Sequence, residues 1–148
     1  MSLRYLIDTN VLVYPHDQNE VVKGARAADV LRRVRAARTA ALPAQALAEF
    51  ASVMLKKMKP PLSPAAVLMR IDGYERAFPV LPLTAAIVLE AVRGVRDHQL
   101  AYYDAQLWAA AKLSQIPVLL SEDFNSGSRI EGVSFANPFD PAFDVHRL

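Results

Sequence analysis

The chain has 148 residues, no cysteine, 53% hydrophobic residues and a net charge of +2. This length suits one domain, residues 1–148, with a two-sided core, and the lack of cysteine excludes disulfides and thiolate zinc sites. A mean hydropathy of +0.14 and a pI near 9.0 describe an apolar, weakly basic protein. No stretch reaches the roughly 18 uninterrupted apolar residues of a membrane span, and the start does not resemble a signal peptide. We therefore expect a cytoplasmic protein with no membrane partner.

The first predicted element is an apolar run, Tyr5-Leu6-Ile7, that ends at Asp8. Because the run does not alternate with polar residues, it predicts a strand buried on both faces of a parallel sheet. Asp8 would then lie at the carboxyl end of the strand, where open parallel sheets bind ligands. The simpler alternative is that Asp8 only caps a helix starting near Asn10.

The next stretch, residues 21–38, has apolar residues at helical spacing with six Lys and Arg side chains between them. This basic amphipathic helix is either a solvated face or a patch that attracts phosphates. A short strand over residues 39–43 precedes a helix from about Ala44 to about Lys59, in which Glu49 interrupts an apolar segment. Another helix covers residues 63–76.

The second half continues the alternation of strand and helix. Prolines at 79 and 82 predict that a short strand over residues 78–83 lies at a sheet edge. Helices follow over residues 84–96 and from about Tyr103 to Leu113. A strand over residues 116–120 then leads into a polar loop at 121–127, and residues 133–136 form a possible last strand before an irregular tail. The alternation predicts a three-layer α/β/α fold around a central parallel sheet of four or five short strands.

Four acidic residues fall at one edge of this predicted sheet: Asp8, Glu49, Asp104 and Asp123. Gathered carboxylates repel one another, so such clusters are usually held by a divalent ion with oxygen ligands. Mg²⁺ or Mn²⁺ fits best. Zinc is a poorer choice because the histidines, at positions 16, 98 and 146, lack ligand spacing and are expected to be surface or structural residues.

The motifs around these acids resemble those of a known family, the PIN-domain ribonucleases, and especially the VapC-like toxins of toxin–antitoxin systems. The motifs are Leu6-Ile7-Asp8-Thr9-Asn10-Val11-Leu12, Gln45-Ala46-Leu47-Ala48-Glu49-Phe50, Tyr102-Tyr103-Asp104-Ala105 with Leu107, and Leu119-Leu120-Ser121-Glu122-Asp123-Phe124 with Gly127. The ending Asn137-Pro138-Phe139 is similar to that of one VapC-like branch. Each motif alone is weak, but four in order cover nearly the whole chain.

The resemblance implies a PIN-like fold and a metal-dependent endoribonuclease that is the toxin of a toxin–antitoxin pair. It assigns Asp8, Glu49, Asp104 and Asp123 as catalytic and metal-binding residues around one or two Mg²⁺ or Mn²⁺ ions. It also implies an RNA substrate, an antitoxin partner and a homodimer or higher oligomer.

Several neighbours of these acids have open roles. The candidates to orient ligands or water are Asn10, Ser121 and Asn125, although each residue type is common in caps and turns. Glu122 stays open as a further metal ligand, although the family pattern places the acid at Asp123.

Other classes of function fit the sequence less well. A haloacid-dehalogenase-like phosphatase needs a second acid two positions after the first, where this chain has Asn10. A receiver domain needs a late lysine after a strand, and none is evident. The serious alternative is a catalytically inactive PIN-like module that binds RNA or protein, although the presence of all four acids argues against decay of the site.

Overall fold

A computed structural model of the chain describes residues 2–148. The strands are β1 (Tyr5–Ile7), β2 (Ala40–Pro43), β3 (Val80–Leu81), β4 (Val118–Leu120), β5 (Arg129–Ile130) and β6 (Val133–Ala136). The helices are α1 (Thr9–Val13), α2 (Val21–Ala37), α3 (Ala44–Ser52), α4 (Pro64–Ala77), α5 (Ala85–His98) and α6 (Tyr102–Leu113).

The sheet has the strand order β3-β2-β1-β4-β6-β5. Every neighbouring pair is parallel except β5 and β6, which are antiparallel. The predicted three-layer α/β/α fold is confirmed, and so is the edge position of the proline-rich third strand. The expected number of four or five strands was wrong, because the sheet formed by residues 2–148 has six. The additional strand, β5, has only two residues and pairs with β6 across a tight turn, where Gly132 has a φ of +88°.

The core lies on both faces of the sheet, as the unbroken apolar run in β1 predicts. Tyr5 and Ile7 pack against the side covered by α1 to α4, whereas Leu6 packs against the side covered by α5 and α6. The second side depends on a close approach of α5 to α6. A Cβ at Gly94 would lie 2.6 Å from Cζ3 of Trp108, so a larger residue there would push the two helices apart.

The helix that carries Glu49 differs from its predicted course. It is α-helical only to Ser52 and continues as a π-helical turn, Val53–Lys57, where one uninterrupted helix to about Lys59 was expected. The apolar residues Leu47, Phe50, Ala51 and Met54 repeat at α-helical spacing and reach only the start of this turn, so their pattern carries no signal for it. The turn lies beyond Glu49 and leaves the start of α3 regular.

The C-terminal tail is irregular, as predicted, apart from a 3₁₀ turn at Val145–Arg147. Arg26 of α2 fastens this tail. Its Nε donates to the carbonyl oxygen of Pro138 at 2.7 Å, and its Nη2 donates to those of Asp140 at 3.5 Å and Phe143 at 2.9 Å. None of the helices in residues 2–148 is both long enough and apolar enough to cross a membrane.

Candidate functional site

The four acidic residues come from four elements that meet at the carboxyl edge of the sheet. Asp8 directly follows β1, Asp123 lies in the loop after β4, Glu49 lies in the helix after β2, and Asp104 lies in the first turn of α6. Because β1, β2 and β4 are parallel, their carboxyl ends lie side by side. The structure thus brings the four positions to one edge of the sheet, as predicted. Their catalytic and metal-binding roles stay predictions.

Asp8 forms the buried floor of the site, with only 3% of its surface exposed. Its Oδ1 accepts a hydrogen bond of 2.6 Å from the backbone N–H of Thr9. Asp8 therefore caps α1, as the alternative interpretation predicted. Its Oδ2 accepts a hydrogen bond of 2.6 Å from the hydroxyl of Ser121. Burial raises the pKa of Asp8 to about 6, with smaller upward contributions from the charges of Asp123 and Glu49, although both hydrogen bonds oppose the shift.

Asn10 connects Asp8 to Asp123. Its Nδ2 lies 3.2 Å from Oδ2 of Asp123, 3.4 Å from Oγ of Ser121 and 3.5 Å from Oδ2 of Asp8. The amide therefore places partial positive charge between two carboxylates. Its Oδ1 is buried and accepts no hydrogen bond from any residue that the structure describes. The expected orienting roles of Asn10 and Ser121 gain a geometric basis from these contacts.

Glu49 and Asp104 form the other half of the site. Glu49 accepts hydrogen bonds from the hydroxyl of Thr9 at 2.7 Å and from Nε2 of Gln45 at 2.8 Å. Burial raises the pKa of Asp104, and the charges of Asp123 and Glu49 raise it further. The charges of Asp123 and Glu49 thus reach both Asp8 and Asp104 across the site.

The donor chemistry of the site fits a hard divalent cation. Its available ligands are oxygen atoms, its carboxylates repel one another, and the buried Oδ1 of Asn10 lacks a donor. The spacing is more open than a closed metal cage, because within residues 2–148 no three Asp, Glu or His side chains are grouped closely enough to hold an ion. Amides occupy part of the site, because Asn10 hydrogen-bonds Asp123 and Gln45 hydrogen-bonds Glu49.

Glu122, which the sequence left open as a ligand, faces away from this arrangement. Its carboxylate accepts hydrogen bonds from the hydroxyl of Tyr14 and, at 3.0 Å, from Nζ of Lys23. The Lys23 ammonium also lies 5.0 Å from the centre of the Tyr14 ring. This cluster anchors the loop that carries Asp123 to the start of α2.

Asn125 lies in a turn, which was the alternative to an orienting role. Its backbone carbonyl accepts a hydrogen bond of 2.6 Å from the hydroxyl of Ser128.

Thr9 and Gln45, which hydrogen-bond Glu49, were not predicted as site residues. Both residues lie inside the motifs quoted above, but Thr and Gln are too common near helix starts for the spacing to single them out.

The basic residues of α2 fall into two groups according to their partners. Lys23 and Arg26 bind other parts of the chain, and Arg32 and Arg33 pair with Asp29 on the same helix.

The histidines have structural contacts or, for His146, an exposed position, in line with the prediction of surface or structural roles. His16 packs against the rings of Phe50 and Tyr74, with Nε2 3.0 Å from the Tyr74 hydroxyl. Burial lowers its pKa to about 4, and the neighbouring charge of Arg70 adds to the effect. His98 pairs with Glu131 at 2.6 Å on the opposite side of the sheet from His16.

Comparison with known families decides which family this architecture represents. The family model described as the PIN domain matches residues 5–129, which is most of the chain. The chain belongs to the PIN domain family. No curated protein sequence matches this PIN domain.

Solved structures with the same fold include several toxin–antitoxin proteins. A toxin–antitoxin complex from Klebsiella pneumoniae has a TM-score of 0.62 at 19% identity, with 91% of this chain and 98% of that chain covered. DNA-bound VapBC from Salmonella typhimurium has a TM-score of 0.67 at 16% identity, with 92% and 98% covered. VapC20 from Mycobacterium tuberculosis, a sarcin-ricin loop cleaving toxin, has a TM-score of 0.64 at 15% identity, with 86% and 97% covered. At these identities the likeness establishes the fold of this PIN domain and nothing further.

Proposed function

We propose that this PIN domain is a metal-dependent endoribonuclease that hydrolyses RNA phosphodiester bonds. The observation that carries the proposal is the convergence of Asp8, Glu49, Asp104 and Asp123 from four separate elements at the carboxyl edge of the sheet. Oxygen-only donors favour Mg²⁺ or Mn²⁺ over zinc. A divalent ion bound there would supply activation of water and stabilisation of charge on the phosphate and the leaving oxygen.

The residues of the chain have distinct tasks in this proposal. Asp8 forms the floor and Asp123 the exposed rim, so RNA approaches from the side of Asp123. Ser121 and Asn10 fix the direction of these two carboxylates. Thr9 fixes Glu49 from the other side. With the ligands held before substrate arrives, little reorganisation is needed when charge develops on the phosphate.

Cleavage of a labelled RNA by the purified chain, with Mg²⁺, with Mn²⁺ and with chelator, tests the proposal. We expect turnover with either metal and none in chelator. Asp104→Asn, purified in the same way, is the control for contaminating ribonuclease. Turnover that persists in chelator, or equal turnover by the variant, contradicts the proposal.

One observation favours a second candidate, a PIN-like module that binds RNA or a partner protein without cutting. Within residues 2–148 the acids do not form a closed ligand set. The same assay separates the two candidates, because a pure binder retains RNA in a filter-binding measurement and shows no turnover with either metal.

We further propose that the chain acts as one domain, in the cytoplasm, as the toxin of a toxin–antitoxin pair. The toxin–antitoxin proteins among the neighbours support this proposal. An antitoxin segment that places a basic side chain among the four acids would block the site. Full nuclease activity in the presence of bound antitoxin would contradict this part of the proposal.

A homodimer is proposed for the same reason, and exposed apolar side chains support it. On α5, 71% of Leu89 and 54% of Val92 are accessible. Such neighbouring apolar residues are typical of surfaces that bind another protein. Light scattering should give the mass of a dimer or larger assembly, whereas a monomer at high micromolar concentration would exclude it.

A further inference from the structure

Four polar side chains form a continuous row of hydrogen bonds that ends on Glu49. The hydroxyl of Tyr102 donates to Oε1 of Gln106 at 2.9 Å, and Nε2 of Gln106 donates to Oε1 of Gln45 at 2.7 Å. Nε2 of Gln45 then donates to Oε1 of Glu49 at 2.8 Å and to the backbone carbonyl of Tyr103 at 3.1 Å. The first three members each donate toward the acidic site, and Glu49 accepts at the end of the row.

This direction is enforced by the chemistry of the amide group. An amide has a donating end and an accepting end, whereas a carboxylate only accepts. Gln106 occupies the accepting end of Gln45, so the donating end of Gln45 must face Glu49. Rotating the Gln45 amide by half a turn would set two nitrogens against each other at Gln106 and two oxygens against each other at Glu49. Gln106 is 4% exposed, so water could not compensate for that mismatch.

Gln106 is also an unexpected residue at its position. It lies within a run of α6, residues 105–111, in which every residue is buried and the other members are apolar. Burying an amide there costs free energy unless both of its ends are hydrogen-bonded. An apolar residue would satisfy the packing alone, so the amide at 106 serves the row of hydrogen bonds.

Gln45 joins the helix that carries Glu49 to the helix that carries Asp104. One amide nitrogen contacts Glu49 on α3 and the carbonyl of Tyr103, the residue before Asp104 on α6. It thereby links two helices that each supply an acid. We propose that Gln45 and Gln106 are positioning residues of the site, with Gln106 acting only through Gln45 to set the affinity for a divalent ion. This inference rests on the proposed metal-dependent function.

Calorimetric titration of the intact chain with Mn²⁺, in the absence of RNA, tests this inference. Gln45→Met and Gln106→Met keep side-chain length and remove both ends of the amide. We expect each to raise the dissociation constant for Mn²⁺ by about 10-fold, the lower end of the effect of residues that orient metal ligands. The double variant should bind Mn²⁺ as Gln45→Met does, because residues that act through one another are not additive.

The controls separate positioning from simple support of the fold. Gln18→Met changes the same residue type at an exposed position and should leave the affinity unchanged. Tyr102→Phe removes only the outermost donor and should give a smaller rise, which keeps the test available if Gln106→Met does not fold. Unchanged Mn²⁺ affinity in a Gln106→Met or Tyr102→Phe protein, even with a lower melting temperature, overturns the inference. Additive effects in the double variant overturn the route through Gln45. A wild-type chain that binds no Mn²⁺ overturns the proposed function as well.

Discussion

Ser121 and Asp8 are 113 positions apart in the sequence, yet the serine hydroxyl donates to Oδ2 of Asp8 at 2.6 Å. This bond joins the ends of two neighbouring strands at the floor of the candidate site. It holds a carboxylate that is otherwise costly to bury, beside two further acids. The stability of the protein and its proposed function therefore make opposite demands on Asp8.

We expect Asp8→Asn to stabilise the metal-free fold by about 0.5–2 kcal/mol at neutral pH, because the variant removes a buried charge that neighbouring acids repel. Thermal melting in chelator measures the difference. Added millimolar Mn²⁺ should raise the melting temperature of wild type more than that of the variant, since a ligand of the folded state shifts the equilibrium toward it. A variant that melts lower than wild type in chelator would show that capping and hydrogen bonding by Asp8 outweigh the repulsion.

The pH dependence of stability should report the same charge. The pKa of Asp8 is about 6 in the fold and about 4 in an unfolded chain. As the pH rises through that window, the unfolded state loses its proton first, so the fold is progressively destabilised, and the full cost remains above pH 6. The advantage of Asp8→Asn over wild type should therefore shrink as the pH falls from about 7 to about 4.

Urea denaturation in chelator at several pH values measures this trend. The opposite contribution of His16, whose pKa is lowered to about 4 by burial and Arg70, is present in both proteins and cancels in the difference. An advantage that is constant with pH would mean that Asp8 does not titrate in this range.

Asp104→Asn should leave the circular dichroism spectrum intact and abolish cleavage. Asp104 lies in the first turn of α6, and its proposed work is electrostatic, so loss of one charge removes a ligand without removing packing. Single-turnover assays with saturating Mn²⁺ provide the measurement. A folded variant with wild-type turnover would remove Asp104 from the proposed catalytic set.

Glu122 and Asp123 are adjacent acids with different expected roles. Glu122 is held by Lys23 and Tyr14, whereas Asp123 faces Asn10. Glu122→Gln should therefore retain metal-dependent turnover at a reduced rate, and Asp123→Asn should not. Parallel assays of the two variants check this contrast. Complete loss of turnover in a folded Glu122→Gln protein would indicate that Glu122 itself binds the metal.

The basic residues of α2 offer a test of RNA binding apart from catalysis. Replacing Arg32, Arg33 and Arg35 with Gln should weaken RNA binding and flatten its dependence on salt, because phosphate contacts release counterions. The control replaces Arg93 and Arg96, two exposed arginines of α5, with Gln, and the change in salt slope is compared per arginine removed. If the salt slope of the α2 variant equals that of wild type, this face of the helix is simply solvated.

The sequence predicts those parts of the protein that follow from local periodicity. Alternating strands and helices, and the prolines near β3, predicted the layers and the edge strand, because burial and missing backbone donors act locally. The rule that parallel strands have their carboxyl ends at the same edge of a sheet predicted that the four acids lie together. Strand β5 was not predicted, because a strand of two residues has no periodic signal in the sequence. Its formation also depends on pairing with β6.

The contacts around the acids could not be predicted for a different reason. Gln45 and Gln106 lie 61 positions apart, and nothing in either segment specifies that they meet. Lys23 and Glu122 are 99 positions apart, so the sequence left Glu122 as an open candidate ligand. Such pairs are decided by how helices are docked on the sheet, which depends on the whole core.

Arg26 holds the C-terminal tail through hydrogen bonds to its backbone, which affects how the protein tolerates mutations at this contact. The guanidinium contacts the backbone carbonyls of Pro138, Asp140 and Phe143. Every amino acid has that carbonyl, so these contacts do not depend on which side chains the tail carries. Lysine lacks the planar fork that can serve several acceptors at once. In a library of variants, position 26 should therefore accept few replacements, while replacements in the tail should leave these three contacts in place.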